Sequence, residues 1–252
     1  MQTINRVFIM LVAAVVLLTL CMPVYASRID DRIELSAKQS YLFKTYLQGD
    51  DIKIQSLDGA VTLTGMVSSE FNKTLAQEMV SGLPDVVSVD NRLDVKGAAP
   101  TVNSDEWLLD KVNATLLFHR SVGASIVEVD VKDSIVTLRG DTASRSQKEL
   151  ATEYAKDVEG VKDVINEMRV IKNWKKAQIR DENIDDASIT AQVKMTLMYH
   201  RSTNALNTKV ETDQGVVTLS GKASNTAEFD LVTELSMDVY GVKKVNNQMI
   251  IQ

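Results

Sequence analysis

The sequence predicts an α+β chain made of three tandem copies of one small α-β-β-α-β domain, each a three-stranded sheet with two helices on one face. The first observation is a repeated core. Gly59-Ala60-Val61-Thr62-Leu63-Thr64-Gly65, Ser134-Ile135-Val136-Thr137-Leu138-Arg139-Gly140 and Gly215-Val216-Val217-Thr218-Leu219-Ser220-Gly221 share Val-Thr-Leu-x-Gly. The second is register: Gly65 and Gly140 lie 75 residues apart, Gly140 and Gly221 lie 81 apart, and these offsets align everything else without gaps. The third is apolar spacing, which alternates between fours and twos in the same order in every copy. Copy one is then 27–97, copy two 104–171 and copy three 184–252, joined by 98–103 and 172–183.

The first helix is read from Ile33, Ala37, Tyr41, matched by Leu108, Val112, Leu116 and by Ile189, Val193, Leu197, one buried stripe per copy. A short strand follows, with Ile52 and Ile54, Val127 and Val129, or Thr208 and Val210 on its inner face. It turns into the core strand across Asp58-Gly59, Asp133-Ser134 or Gln214-Gly215, where Asp-Gly favours a two-residue hairpin. The second helix carries Leu75, Met79, Leu83, then Leu150, Tyr154, Val158, then Leu231, Leu235, Val239. Ser144 with Gln147 and Asn225 with Glu228 have capping-box spacing at its start, and Asp85, Gly160 or Gly241 marks its end. The closing strand places Val89, Asn91, Leu93, Val95 on one face, as it does Val164, Asn166, Met168, Val170 and Val245, Asn247, Met249, Ile251. An amide on an apolar face needs partners, so Asn91, Asn166 and Asn247 are read as staples to a neighbouring backbone segment.

Residues 1–26 read as a secretory leader: Arg6, an apolar run from Val7 to Leu20, and a Val24-Tyr25-Ala26 exit that places cleavage after Ala26. The run is about fourteen residues, short of the roughly 20 a spanning helix needs. Cys21 raises the alternative of a lipid-modified N-terminus, but the residue before it is Leu20, where a small one is usual. Removing the leader removes the single Cys, hence any disulfide or thiolate chemistry. The net charge is −6, and loss of Arg6 makes it more negative, which argues against nucleic-acid binding.

Chemistry-bearing residues are few. The two histidines, His119 and His200, share one repeat position, in Phe118-His119-Arg120-Ser121 and Tyr199-His200-Arg201-Ser202. At the end of the first helix they can cap its last carbonyls. Alternatively Phe118, Arg120, Tyr199 and Arg201 form aromatic-plus-cation tips for an anionic lipid surface. Lys172, Trp174, Lys175 and Lys176 make the clearly basic stretch, a solvated connection or a second membrane-facing patch. No nucleophile–base pair, phosphate loop or metal-ligand spacing stands out, so neither an enzyme nor a cofactor is expected.

The order α-β-β-α-β, the motif x-Gly-x-Val-x-Leu-x-Gly and the ending Gly-Val-x-x-Val-x-Asn resemble the BON domain, named for bacterial OsmY and nodulation proteins. Copy three carries it most fully, in Gly215, Val217, Leu219, Gly221, Gly241, Val242, Val245 and Asn247, while Ser134 and Asp85 depart from it. The resemblance implies a periplasmic protein of envelope integrity or osmotic stress that contacts phospholipid or envelope proteins, and it supplies no catalytic residues. A periplasmic chaperone or assembly adaptor, working through open sheet edges, is the alternative.

Overall fold

The computed structural model describes residues 28–97, 101–102, 104–122, 126–171, 184–203 and 208–252. The leader with Cys21 and the basic stretch Lys172, Trp174, Lys175 and Lys176 lie outside them. Copy one runs α1 (28–39), α2 (Tyr41–Thr45), β1 (Asp51–Leu57), β2 (Ala60–Val67), α3 (Glu70–Ser81), β3 (Ser88–Val95). Copy two runs α4 (Asp105–Phe118), β4 (Ile126–Lys132), β5 (Ile135–Thr142), α5 (Arg145–Lys156), β6 (Asp163–Asn166), β7 (Arg169–Val170). Copy three runs α6 (Asp186–Tyr199), β8 (Thr208–Asp213), β9 (Val216–Ala223), α7 (Thr226–Met237), β10 (Lys244–Asn247), β11 (Ile250–Ile251). This is the α+β class expected.

In each copy the core strand is central. β1, β4 and β8 pair antiparallel with β2, β5 and β9, while the closing strand lies parallel on the other side after a helical crossover. Both central residues of every hairpin turn have positive φ, 52° and 79° at Asp58-Gly59, 54° and 65° at Asp133-Ser134, 50° and 79° at Gln214-Gly215. That is the twist-matched turn of a right-handed hairpin. Gly65, Gly140 and Gly221 stand opposite Ile52, Val127 and Thr208 at φ 120°, 123° and 128°, one structural position three times over.

One further contact repeats in all three copies, and its signal in the sequence is an aspartate 28 or 29 residues before each turn. Asp30, Asp105 and Asp186 occupy equivalent places in the first turn of each first helix, and each carboxylate accepts both N–H groups of the hairpin turn at 2.7–3.1 Å. The Ser56 hydroxyl, then the Gly59 and Asp58 amides, hold the Asp30 carboxyl below its usual range against the opposing effect of burial. Ser134 adopts at φ 65° a conformation that costs a residue with a Cβ. Ser134→Gly is therefore expected to stabilise copy two by roughly 0.5–1 kcal/mol once the extra freedom of unfolded glycine is deducted. A lower urea midpoint in the variant would contradict this.

The asparagines are staples. Asn166 donates to the Lys148 carbonyl and the Thr152 hydroxyl, both at 2.8 Å, and its Oδ1 accepts the Met168 N–H at 3.0 Å. Asn247 does the same with Phe229, Thr233 and Met249, and Asn91 with Lys73, Gln77 and Leu93. Each is half-buried and ties the closing strand to the second helix. Ser69, Ser144 and Asn225 cap α3, α5 and α7, and Glu228 accepts the N–H of Ser224 at 2.7 Å.

Four details depart from expectation. The first helix of copy one stops before Ser40, which caps α2, so Leu42 is buried in place of Tyr41. The second helices end four residues before Asp85, Gly160 and Gly241, which sit at positive φ in the turn that follows. Leu150 is exposed, whereas Ala151 and Ala155 are fully buried, because α5 approaches the core on its small side chains. Val170 and Ile251, expected inward, are exposed at the end of the closing strand.

The copies are not separate beads. α6 is buried almost all round, since Ile189, Val193 and Leu197 face the core of copy three while Ala187, Ala191 and Met195 enter the core of copy one. Asp185, which caps α6, also accepts the Tyr41 N–H at 2.8 Å, and Lys194 pairs with Glu78 at 2.9 Å.

Candidate functional site

The chain leaves α4 and α6 at Phe118 and Tyr199 with His119 and His200 in extended conformation. Freed from the helix, these backbones pair across copies. His119 bridges Val239 and His200 bridges Val158, both antiparallel. The Arg120 N–H donates to the Asp238 carbonyl at 2.9 Å, and the Arg201 N–H to the Asp157 carbonyl at 3.0 Å. Side chains repeat the exchange: His119 and Arg120 face the Asp238 carboxylate at 3.2 and 3.7 Å, His200 and Arg201 face that of Asp157 at 3.5 and 3.7 Å. These backbone bonds and ion pairs from copy two to copy three each have an equivalent in reverse, the pattern of a two-fold interface.

The two halves are unequal in strength. Asp238 also accepts the Tyr154 hydroxyl at 2.7 Å and the Ser121 hydroxyl, and His119 stacks on the Tyr154 ring with centroids 3.9 Å apart. Burial works to raise the Asp238 carboxyl, but the hydrogen bonds from His119, Ser121 and Tyr154 outweigh it and leave it below the usual carboxylate range. Leu235 stands where copy two has Tyr154, so Asp157 has no such partner. Burial lowers the His200 pKa against the pull of Asp157, and the Ser202 N–H at 3.1 Å requires an unprotonated Nδ1.

Copy one closes over this joint with aromatic rings. Tyr41, Tyr46, Phe118, Phe71 and Tyr199 form a chain of edge-on and tilted contacts at 5.9–6.2 Å that touches all three copies.

These placements revise the lipid-facing tips. Phe118 is 1% exposed, inside the core of copy one, and Tyr199 is largely covered, so neither ring is free to enter a headgroup layer. The histidines spend their hydrogen bonds on carboxylates of the other copy in place of their own helix carbonyls. The guanidinium side chains of Arg120 and Arg201 remain 46% and 43% exposed. Three residues before them stand Leu117 and Met198, 36% and 42% exposed, which the sequence reading did not select. Among the described residues no group of His, Cys, Asp and Glu could hold a metal ion, and no helix is long and apolar enough to cross a membrane.

Comparison with known proteins follows the repeat. The family model described as BON domain matches residues 29–97, 104–172 and 185–252. The chain is 32% identical over 145 residues to osmotically-inducible protein Y of Escherichia coli K12, covering 58% of this chain and 71% of that protein. It is 33% identical over 110 residues to the outer membrane lipoprotein DolP of Haemophilus influenzae, covering 44% of this chain and 54% of that one. Among solved structures, CdsD of the Chlamydia trachomatis type III secretion system aligns at 17% identity and a TM-score of 0.24 over 87% of this chain and 90% of its own. Matched three times along its length, the chain belongs to the BON domain family.

Proposed function

We propose that this chain is an exported, non-catalytic protein of the bacterial envelope, active under osmotic or envelope stress, that rests on anionic phospholipid surfaces. The names of its relatives, one osmotically inducible and one an outer membrane lipoprotein, support the compartment and the circumstance. The observation that carries the lipid reading is the repeated pair of an exposed apolar side chain and an exposed guanidinium, Leu117 with Arg120 and Met198 with Arg201. Apolar insertion and phosphate pairing are the two chemistries of an interfacial contact, and both are exposed here within three residues of each other in sequence. Lys172, Lys175 and Lys176 add cations on the connection between the same two copies. The chain as a whole is acidic, so binding is weak, local and screened by salt.

Vesicle flotation tests this. Anionic vesicles should carry the chain upward and lose it in high salt, and Arg120→Gln with Arg201→Gln should weaken binding on the order of tenfold or more, at about 1 kcal/mol for each cation. Equal flotation on neutral vesicles, or none on anionic ones, overturns the reading. Crosslinks to envelope proteins that survive delipidation would favour an adaptor instead, for which the open edges of β1, β4 and β8 are suited.

A further inference from the structure

The backbone bridges and ion pairs of the joint between copies two and three are self-complementary, and this suits the joint to an occupant outside the chain. Copies two and three each carry both halves of the recognition: a His-Arg pair after the first helix, and an aspartate just after the second, Asp157 or Asp238. Copy one carries neither, having Lys44-Thr45 in place of His-Arg and Gly82 in place of the aspartate. The code therefore selects copies two and three for each other and excludes copy one.

We propose that the same joint recognises a second copy of this chain, by exchange of copy three. In the exchanged dimer copy three of each chain docks its α6 on copies one and two of the other. His119 and Arg120 then meet Asp238 of the partner chain, and Asp157 meets the partner's His200 and Arg201. Every bond of the closed chain is formed again, twice per dimer. The two states differ in how copy three is tethered, and in no contact. A short connection holds it at an effective concentration on the order of mM, so the closed monomer dominates in dilute solution and exchange competes as chain concentration nears that range. The proposal does not depend on the lipid reading, because it uses the bonds of the joint itself.

The test mixes two pools of the intact chain, one isotopically labelled and one not, unfolds them, and refolds them together at about 1 mM. A species of twice the chain mass is expected, showing nuclear Overhauser contacts from His119 or Tyr154 of one pool to Val239 of the other. A second measurement pairs His119→Asp with Asp238→Arg, each of which spoils its own closed joint. Co-refolded, they should yield at least tenfold more dimer than either alone, because exchange rebuilds one native joint and one with the charges reversed. Refolding to monomer only, dimers without cross-pool contacts at Val239, or no gain on mixing the variants would each overturn the proposal.

Discussion

Replacing Gly65 by alanine is expected to lower the stability of the chain sharply, through the loss of the β1–β2 pairing in copy one. A Cβ built there would stand 1.9 Å from the Asp51 carbonyl oxygen, an overlap that neither backbone can avoid while β1 and β2 stay paired. The φ of 120° adds conformational strain of its own. Together these should cost about 3 kcal/mol or more, at the high end for a single substitution. Gly140 and Gly221, at φ 123° and 128°, should behave alike. Gly82 is the control, because it caps α3 at φ −85° and its Cβ would meet nothing closer than 3.5 Å. Calorimetry on Gly65→Ala and Gly82→Ala should separate them clearly, and equal melting temperatures would contradict the close approach.

The second large effect is expected at the joint. Asp238→Ala removes the acceptor that His119, Tyr154 and Ser121 share, and leaves those donors without it in a buried place. Breaking such a site costs about 3 kcal/mol, of which the more exposed Arg120, at 3.7 Å, contributes little. For a chain of this size that corresponds to a fall in Tm of roughly 6–12 °C if the copies melt together. Acid should weaken the joint in two stages. The His200 pKa is lowered by burial, so its contribution is present at neutral pH and fades as pH drops below the ordinary histidine value of 6.5. The Asp238 pKa is also lowered, so its contribution holds above the ordinary carboxylate value of 3.8 and is lost as pH falls through the lower value it has in the fold. Stability that rises as pH falls from 7 to 5 would contradict the His200 assignment.

Much of each copy was legible because its determinants are local. The hairpin turn, the glycine of the core strand and the asparagine staple depend on residues within about 30 positions of one another, and three aligned occurrences expose them. The kink at Ser40 carried no proline or glycine to announce it. The rotated face of α5 depends on how closely two helices approach, which Leu150 and Ala151 alone do not decide. The joint was out of reach for a different reason. His119 and Asp238 are 119 positions apart, and nothing in the period of either copy says which surface meets which. One signal was available: from Ala187 to Tyr199 the chain holds a single charged residue, Lys194, and two apolar stripes where a surface helix needs one. Such a helix is buried on several sides. That pattern points the Tyr199 ring inward.

The three copies form one body, closed by a reciprocal joint. Amide hydrogen exchange at Arg120 and Arg201 tests it most directly, because their N–H groups donate across the joint to Asp238 and Asp157 at 2.9 and 3.0 Å. Both amides should be protected to a similar degree as those of the neighbouring core strands, and Asp238→Ala should release Arg120 first. Exchange at both positions at the rate of an open loop, while the strands stay protected, would mean that the copies stand apart.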